Sequence, residues 1–157
     1  MLIFLILLGV ALFIALVAWA LGVFVHRSLH DDMGLVARWL VGLLVVQFIL
    51  GMSANLFQTI PDDMPWRVFH EVGPIILHAL NGLVIVVLAV WLRILAGRQD
   101  RYVGPVALGG TAVAIAFVCG VIFVNLGQND IYSFAMALGF IVALLEFAYV
   151  GFRSMKH

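Results

Sequence analysis

Charge is what this sequence has least of. Asp, Glu, Lys and Arg make up 10% of its 157 residues, where a soluble domain carries about 25%. With 66% hydrophobic residues and a mean hydropathy of +1.22, no water-facing surface could be assembled from the chain. Formal charge balances at zero, so no basic field invites nucleic acid. Cysteine is nearly absent. Cys119 stands alone, which excludes an intrachain disulfide and leaves a small packing residue, since buried thiols behave as small hydrophobes. A nucleophile–base pair, a phosphate loop and a clustered Cys/His zinc motif are also missing, so hydrolysis and phosphoryl transfer have no residues to rest on. The apolar runs are continuous and do not alternate with polar residues, which excludes a membrane β-barrel.

Long apolar runs are what the sequence has. A helix needs about 20 apolar residues to cross the hydrocarbon of a bilayer, and five stretches qualify: Met1–Val25, Leu35–Phe57, Pro74–Ala96, Val103–Asn125 and Ile131–Phe152. Joined by short connections, they predict an all-α, single-domain integral membrane bundle of five antiparallel helices over residues 1–157. Loop charge orients it. Arg27, Arg38, Arg93, Arg98, Arg101, Arg153 and Lys156 fall on one side and only Arg67 on the other, so the positive-inside rule puts the N-terminus outside and the C-terminus in the cytoplasm. Trp39, Trp91, Tyr102 and Tyr149 then form an inner aromatic belt, with Trp66 and Tyr132 near the outer boundary. The first stretch lacks the positive n-region of a secretory signal and outruns the usual h-region, so it reads as a true span. The cytoplasmic (inner) membrane of a prokaryote is the expected location.

Two patterns organise the interior. "QFILGMSANLFQ" (47–58) and "AFVCGVIFVNLGQ" (116–128) share Phe, Gly, Asn, Leu and Gln in order, and "HALNGLVIVVLA" and "MALGFIVALLE" follow them in the third and fifth stretches. The expectation is a parallel repeat of spans 2–3 and 4–5, related by an axis along the membrane normal. Gly109, Ala112, Ala116 and Gly120 form a small-residue stripe of the kind that lets helix backbones approach closely. Gln47, Gly51 and Asn55, at steps of four, mark another interior face. Gln47 either hydrogen-bonds a neighbouring helix or contacts a substrate.

Polar residues gather at the outer end: Asn55, Gln58, His70, Glu71, His78, Asn81, Asn125, Gln128, Asn129, Asp130, Tyr132 and Ser133. Pro74 suits the first position of a helix, where its missing donor is harmless, so His78 and Asn81 fall inside the first two turns of a span. An ionisable residue there is a functional-site hypothesis by default. Three readings of His78 stand: a hydrogen bond to a neighbouring carbonyl or to Asn55, ligation of haem or a metal ion, or gating of a proton or solute. Gly82, one turn on, would let a flat macrocycle lie against the helix. His70 and Glu71 read as a short interfacial segment with "PWRVF", or His70 as a second ligand folded over the opening. Glu146 lies within the last span at a depth comparable with Arg38 and Arg93. It reads as a member of a structural ion pair, or as a proton-accepting carboxylate on a path from the cytoplasm.

Residues 43–98 resemble one helical hairpin of the haem A synthase family, in which a Gln-x-x-Leu-Gly helix precedes a loop and a span opening with a haem-ligating His. Gln47, Leu50, Gly51 and His78 match that pattern, and the resemblance implies that His78 is an axial haem ligand. The family pairs its ligating histidines at one membrane face. Here the only His-Arg, His26–Arg27, falls at the inner end of the first stretch, so His26 and His30 read as loop residues. Under the repeat His78 corresponds to Met136, and His with Met is a recognised axial pair; an ungapped alignment of Gly82 with Gly139 pairs His78 with Ala135 instead.

The expected function is a small b-type haem protein, an electron-transfer or membrane-anchor subunit exchanging electrons with a quinone or an extracytoplasmic partner. Two rivals remain: a non-catalytic accessory subunit of a larger membrane complex, and a solute channel lined by Gln47, Asn55, His78, Asn81 and Asn125.

Overall fold

A computed structural model describes residues 33–57, 73–125 and 129–154. They form four helices: α1 (Met33–Phe57), α2 (Pro74–Gln99), α3 (Val103–Asn125) and α4 (Asp130–Arg153). All four are long and apolar enough to cross a membrane. The first apolar stretch, the segment carrying His70, and Gln128 lie outside the described residues, so the structure gives four of the five expected spans.

Local chemistry explains the helix ends. α2 starts with Pro74 after an extended Gly73, as expected of a residue whose φ is already set for the first turn. α4 is capped by Asn129, whose Oδ1 accepts from the Ile131 N–H at 2.9 Å, with Asp130 in its first turn and Arg153 in its last complementing the helix dipole. α2 runs on to Gln99, past the expected end at Ala96. The helix ends at Asp100, whose left-handed conformation lets its N–H reach the Ala96 carbonyl, and within the last turns the Arg93 side chain lies along its own helix, with Nη1 3.5 Å from where a Gly97 Cβ would sit. An arginine stem can lie on apolar surface while its head reaches towards water. The turn into α3 is tight. Asp100 and Tyr102 adopt φ of 49° and 55°, left-handed conformations that cost a residue with a side chain roughly 1–2 kcal/mol each.

Each helix packs on two others. α1 lies on α2, α2 on α3, α3 on α4, and α4 closes back on α1. The ends of the four elements therefore alternate, bringing the start of α1, the end of α2, the start of α3 and the end of α4 together. Arg38 Nη1 reaches the Gly151 carbonyl at 3.5 Å across this end. Here too lies the core: Val36, Leu40, Leu92, Leu95, Val106, Phe147 and Val150 are almost wholly buried. Towards the opposite end the interior is less completely closed. Large apolar side chains such as Phe48, Ile49, Val90, Ile115, Ile141 and Leu145 point outward. Such a surface suits lipid, which is as apolar as they are.

The most extensive helix contact is between α3 and α4, and small residues let the two backbones come close. A Cβ on Gly139 would sit 2.9 Å from the Ala112 carbonyl oxygen and 3.1 Å from the Ala116 Cβ. Gly109 receives the Phe147 ring, at 2.7 Å from the same construction, and Gly120 receives the Met136 Sδ at 3.2 Å. All four members of the expected stripe thus face α4.

Candidate functional site: the Gln47–His78–Asn81 clasp

On α1, Gln47 is followed one turn later by Gly51; on α2, His78 is followed one turn later by Gly82. The helices are antiparallel neighbours, and each long polar side chain enters the notch left by the other helix's glycine. A Cβ on Gly51 would stand 2.9 Å from the His78 Cε1, and one on Gly82 would stand 3.0 Å from the Gln47 Nε2. A methyl on Gly51 would have to displace the imidazole, and one on Gly82 would push the Gln47 carboxamide by a few tenths of an ångström.

The hydrogen bonds set the imidazole's tautomer. Nδ1 lies 3.1 Å from the Gln47 backbone carbonyl, which can only accept, so Nδ1 carries the proton. Nε2 is then the acceptor, taking a hydrogen bond from the Gln47 carboxamide Nε2 at 3.1 Å. The other end of that carboxamide is held as well: its Oε1 accepts from Asn81 Nδ2 at 2.7 Å, and Asn81 Nδ2 also donates to the Leu43 carbonyl at 3.0 Å. Three polar side chains and two backbone carbonyls therefore close one network, in a setting where an unpaired polar group is costly. Of the two hydrogen bonds expected for His78, the one to a neighbouring carbonyl forms, and none joins it to Asn55. Gln47 makes the interhelical contact anticipated for it.

The other expected site residues are elsewhere. Asn55 is exposed near the end of α1. Asn125 is exposed and donates to the Val121 carbonyl of its own helix at 2.6 Å. Glu146 is half-buried, with its Cβ 3.2 Å from where a Gly109 Cβ would sit. Among the described residues it makes no ion pair with Arg38 or Arg93. Met136 lies in the α3–α4 hairpin. Met136 occupies the Gly120 notch as His78 occupies that of Gly51, and Ala116 meets Gly139 as Gln47 meets Gly82. The reciprocal notch was not anticipated, although its signal, a long polar residue and a glycine four apart on both spans, stands in the sequence.

A haem on His78 would need the Nε2 lone pair that now accepts from Gln47. A macrocycle against Gly82 would need the notch that the Gln47 carboxamide fills. Met136 turns its thioether to Gly120. As arranged, these residues do not fit a haem. Among the described residues no three His, Cys, Asp or Glu side chains gather as a metal site. Compared with protein-family models, curated proteins and solved structures, the chain matches none.

Proposed function

We propose that the chain is a non-catalytic membrane subunit, with the Gln47–His78–Asn81 network serving as an interhelical clasp. One observation carries this reading: the polar side chains within the α1–α2 interface are engaged with one another and with backbone carbonyls. Both imidazole nitrogens and both ends of the Gln47 carboxamide are occupied, so none is offered to a substrate. The same closure opposes the channel, because the candidate lining residues join two helices where a path would have to run. Gly42, Gly104 and Gly110 have open space where a Cβ would project, and bare glycine surface lets another helix approach. That helix is the first apolar stretch as a fifth span, or one of another subunit. In this reading spans 2–3 and 4–5 are a parallel repeat, polar in the first copy and apolar in the second. The arginine-bearing end faces the cytoplasm of a prokaryotic cell, and the N-terminus lies outside the inner membrane.

A b-type haem is the second reading, and a specific observation favours it. Histidine ligands are commonly held by an Nδ1–H bond to a carbonyl, leaving Nε2 to ligate; His78 has that bond to Gln47. The resemblance of residues 43–98 to a haem A synthase hairpin points the same way. The carboxamide would first have to turn out of the Gly82 notch.

A reduced-minus-oxidised absorption spectrum of the detergent-solubilised chain separates the two. The clasp reading expects no Soret or α band, before or after incubation with haem. Bands that vanish in His78→Ala, with the variant still folded, would establish the second reading and end the first.

A further inference from the structure

The tight turn between α2 and α3 places a tyrosine in a left-handed conformation, where a bulky residue is an outlier. Backbone strain of this kind persists where surrounding contacts hold it, and at Tyr102 those contacts are specific. Its ring meets Tyr149 of α4 edge-on, with centroids 6.2 Å apart and planes at 85°. The Arg101 guanidinium stands over the Tyr102 ring at 5.4 Å, and that of Arg153 over Tyr149 at 5.7 Å. Two cations are thus parked on one tyrosine pair that bridges the start of α3 and the end of α4.

Nothing in the described protein neutralises them. Neither Arg101 nor Arg153 forms an ion pair among the described residues. Among the described residues the carboxylates nearby are Asp100, exposed in the same turn, and Glu146, almost two turns deeper on α4. Below the array, Leu145 lies one turn before Tyr149 and is 64% exposed, so the cations border an apolar surface suited to acyl chains. A guanidinium resting on a ring keeps its N–H edges free for the paired oxygens of a phosphate.

We propose that the Arg101–Tyr102–Tyr149–Arg153 array binds the phosphodiester headgroup of an anionic phospholipid, with its acyl chains against α4. Charge complementarity selects the occupant. A zwitterionic lipid brings its own cation to two that are already unpaired, whereas an anionic lipid brings only the phosphate charge. The inference is independent of the clasp, which lies towards the other end of the bundle.

The test is native mass spectrometry of the full chain in detergent with equimolar dioleoylphosphatidylglycerol and dioleoylphosphatidylcholine. The wild type should carry severalfold more phosphatidylglycerol adducts. The Arg101→Gln/Arg153→Gln double variant should lose that preference, while Arg98→Gln, at another exposed arginine of the same end, should keep it. An Arg101→Lys/Arg153→Lys double variant retains charge without the planar fork and should fall between. Equal uptake of both lipids by the wild type overturns the proposal. So does a preference that survives the Gln double variant, or one lost equally in Arg98→Gln, which would mark a diffuse positive surface. Should the Gln double variant not be recovered folded, the two single variants decide. Each should lose part of the preference, and wild-type behaviour in both overturns the site.

Discussion

Gly139→Leu should force α3 and α4 apart. The first side-chain atom alone would sit 2.9 Å from the Ala112 carbonyl oxygen. That oxygen belongs to a helix backbone and cannot swing aside as the end of a flexible side chain can. Overpacking a well-filled interior typically costs about 1–3 kcal/mol, occasionally more. Because the clash here is with backbone, and Leu adds three further carbons in the same direction, the upper end of that range applies. A loss of ~3 kcal/mol in a chain of this size lowers the unfolding midpoint by roughly 6–12 °C, readable in a tryptophan-fluorescence melt of the detergent-solubilised protein. Gly97→Ala, where the new methyl would meet only the end of the Arg93 side chain at an ordinary 3.5 Å, is the internal control. It should leave the midpoint unchanged or raise it, since alanine is favoured over glycine in a helix interior by roughly 0.5–1 kcal/mol. Equal behaviour of the two variants would refute the close α3–α4 approach.

The contrast shows what could be read from the sequence. The small stripe Gly109, Ala112, Ala116 and Gly120 was legible because small side chains at helical spacing have few other uses in lipid, and α4 packs on all four. The extent of the helices was legible almost as well: expected and observed boundaries agree for Val103–Asn125 and differ by one or two residues at Leu35 and Ile131. They differ more at the end of α2, which runs three residues past Ala96 to Gln99, because the apolar stretch ends before the helix does. Glu146 carried two readings, a structural ion pair and a proton-accepting carboxylate; among the described residues it forms no ion pair with Arg38 or Arg93, and one arm of Arg38 reaches the Gly151 carbonyl.

The site was legible by position and illegible by partner. Gln47 and His78 were identifiable because polar groups in a span must be satisfied. A histidine that accepts a carboxamide and a histidine that ligates iron leave the same letter in a sequence, and often the same glycine beside it. What separates them is whether Gly82 makes room for a macrocycle or for Gln47, and that depends on the register between two helices, which the sequence of either does not state. In the structure the register brings Gln47 Nε2 to 3.0 Å from where a Gly82 Cβ would sit.

A double-mutant cycle on Gln47 and His78 should therefore show strong coupling. Gln47→Leu removes the donor to His78 Nε2 and the acceptor of Asn81 Nδ2, while the imidazole keeps its bond to the Gln47 backbone carbonyl. A buried polar group left unpaired costs about 1–3 kcal/mol, although hydrogen bonds between membrane helices often contribute only about 0.6–2 kcal/mol. A single-variant loss of ~2 kcal/mol is expected. His78→Leu orphans the Gln47 amide instead, with a similar loss. Gln47→Leu/His78→Leu removes both partners together, and its loss should fall short of the sum by about 1 kcal/mol or more, as residues sharing one network do. Additive losses would mean that the two side chains act separately and that the clasp is not the unit holding α1 to α2. The same Gln47→Leu variant bears on the haem reading. It leaves the Nδ1 anchor in place and strips the group that covers Nε2. If His78 ligates haem, this variant should take up at least as much as the wild type; if the imidazole only joins two helices, it should remain colourless and simply melt earlier.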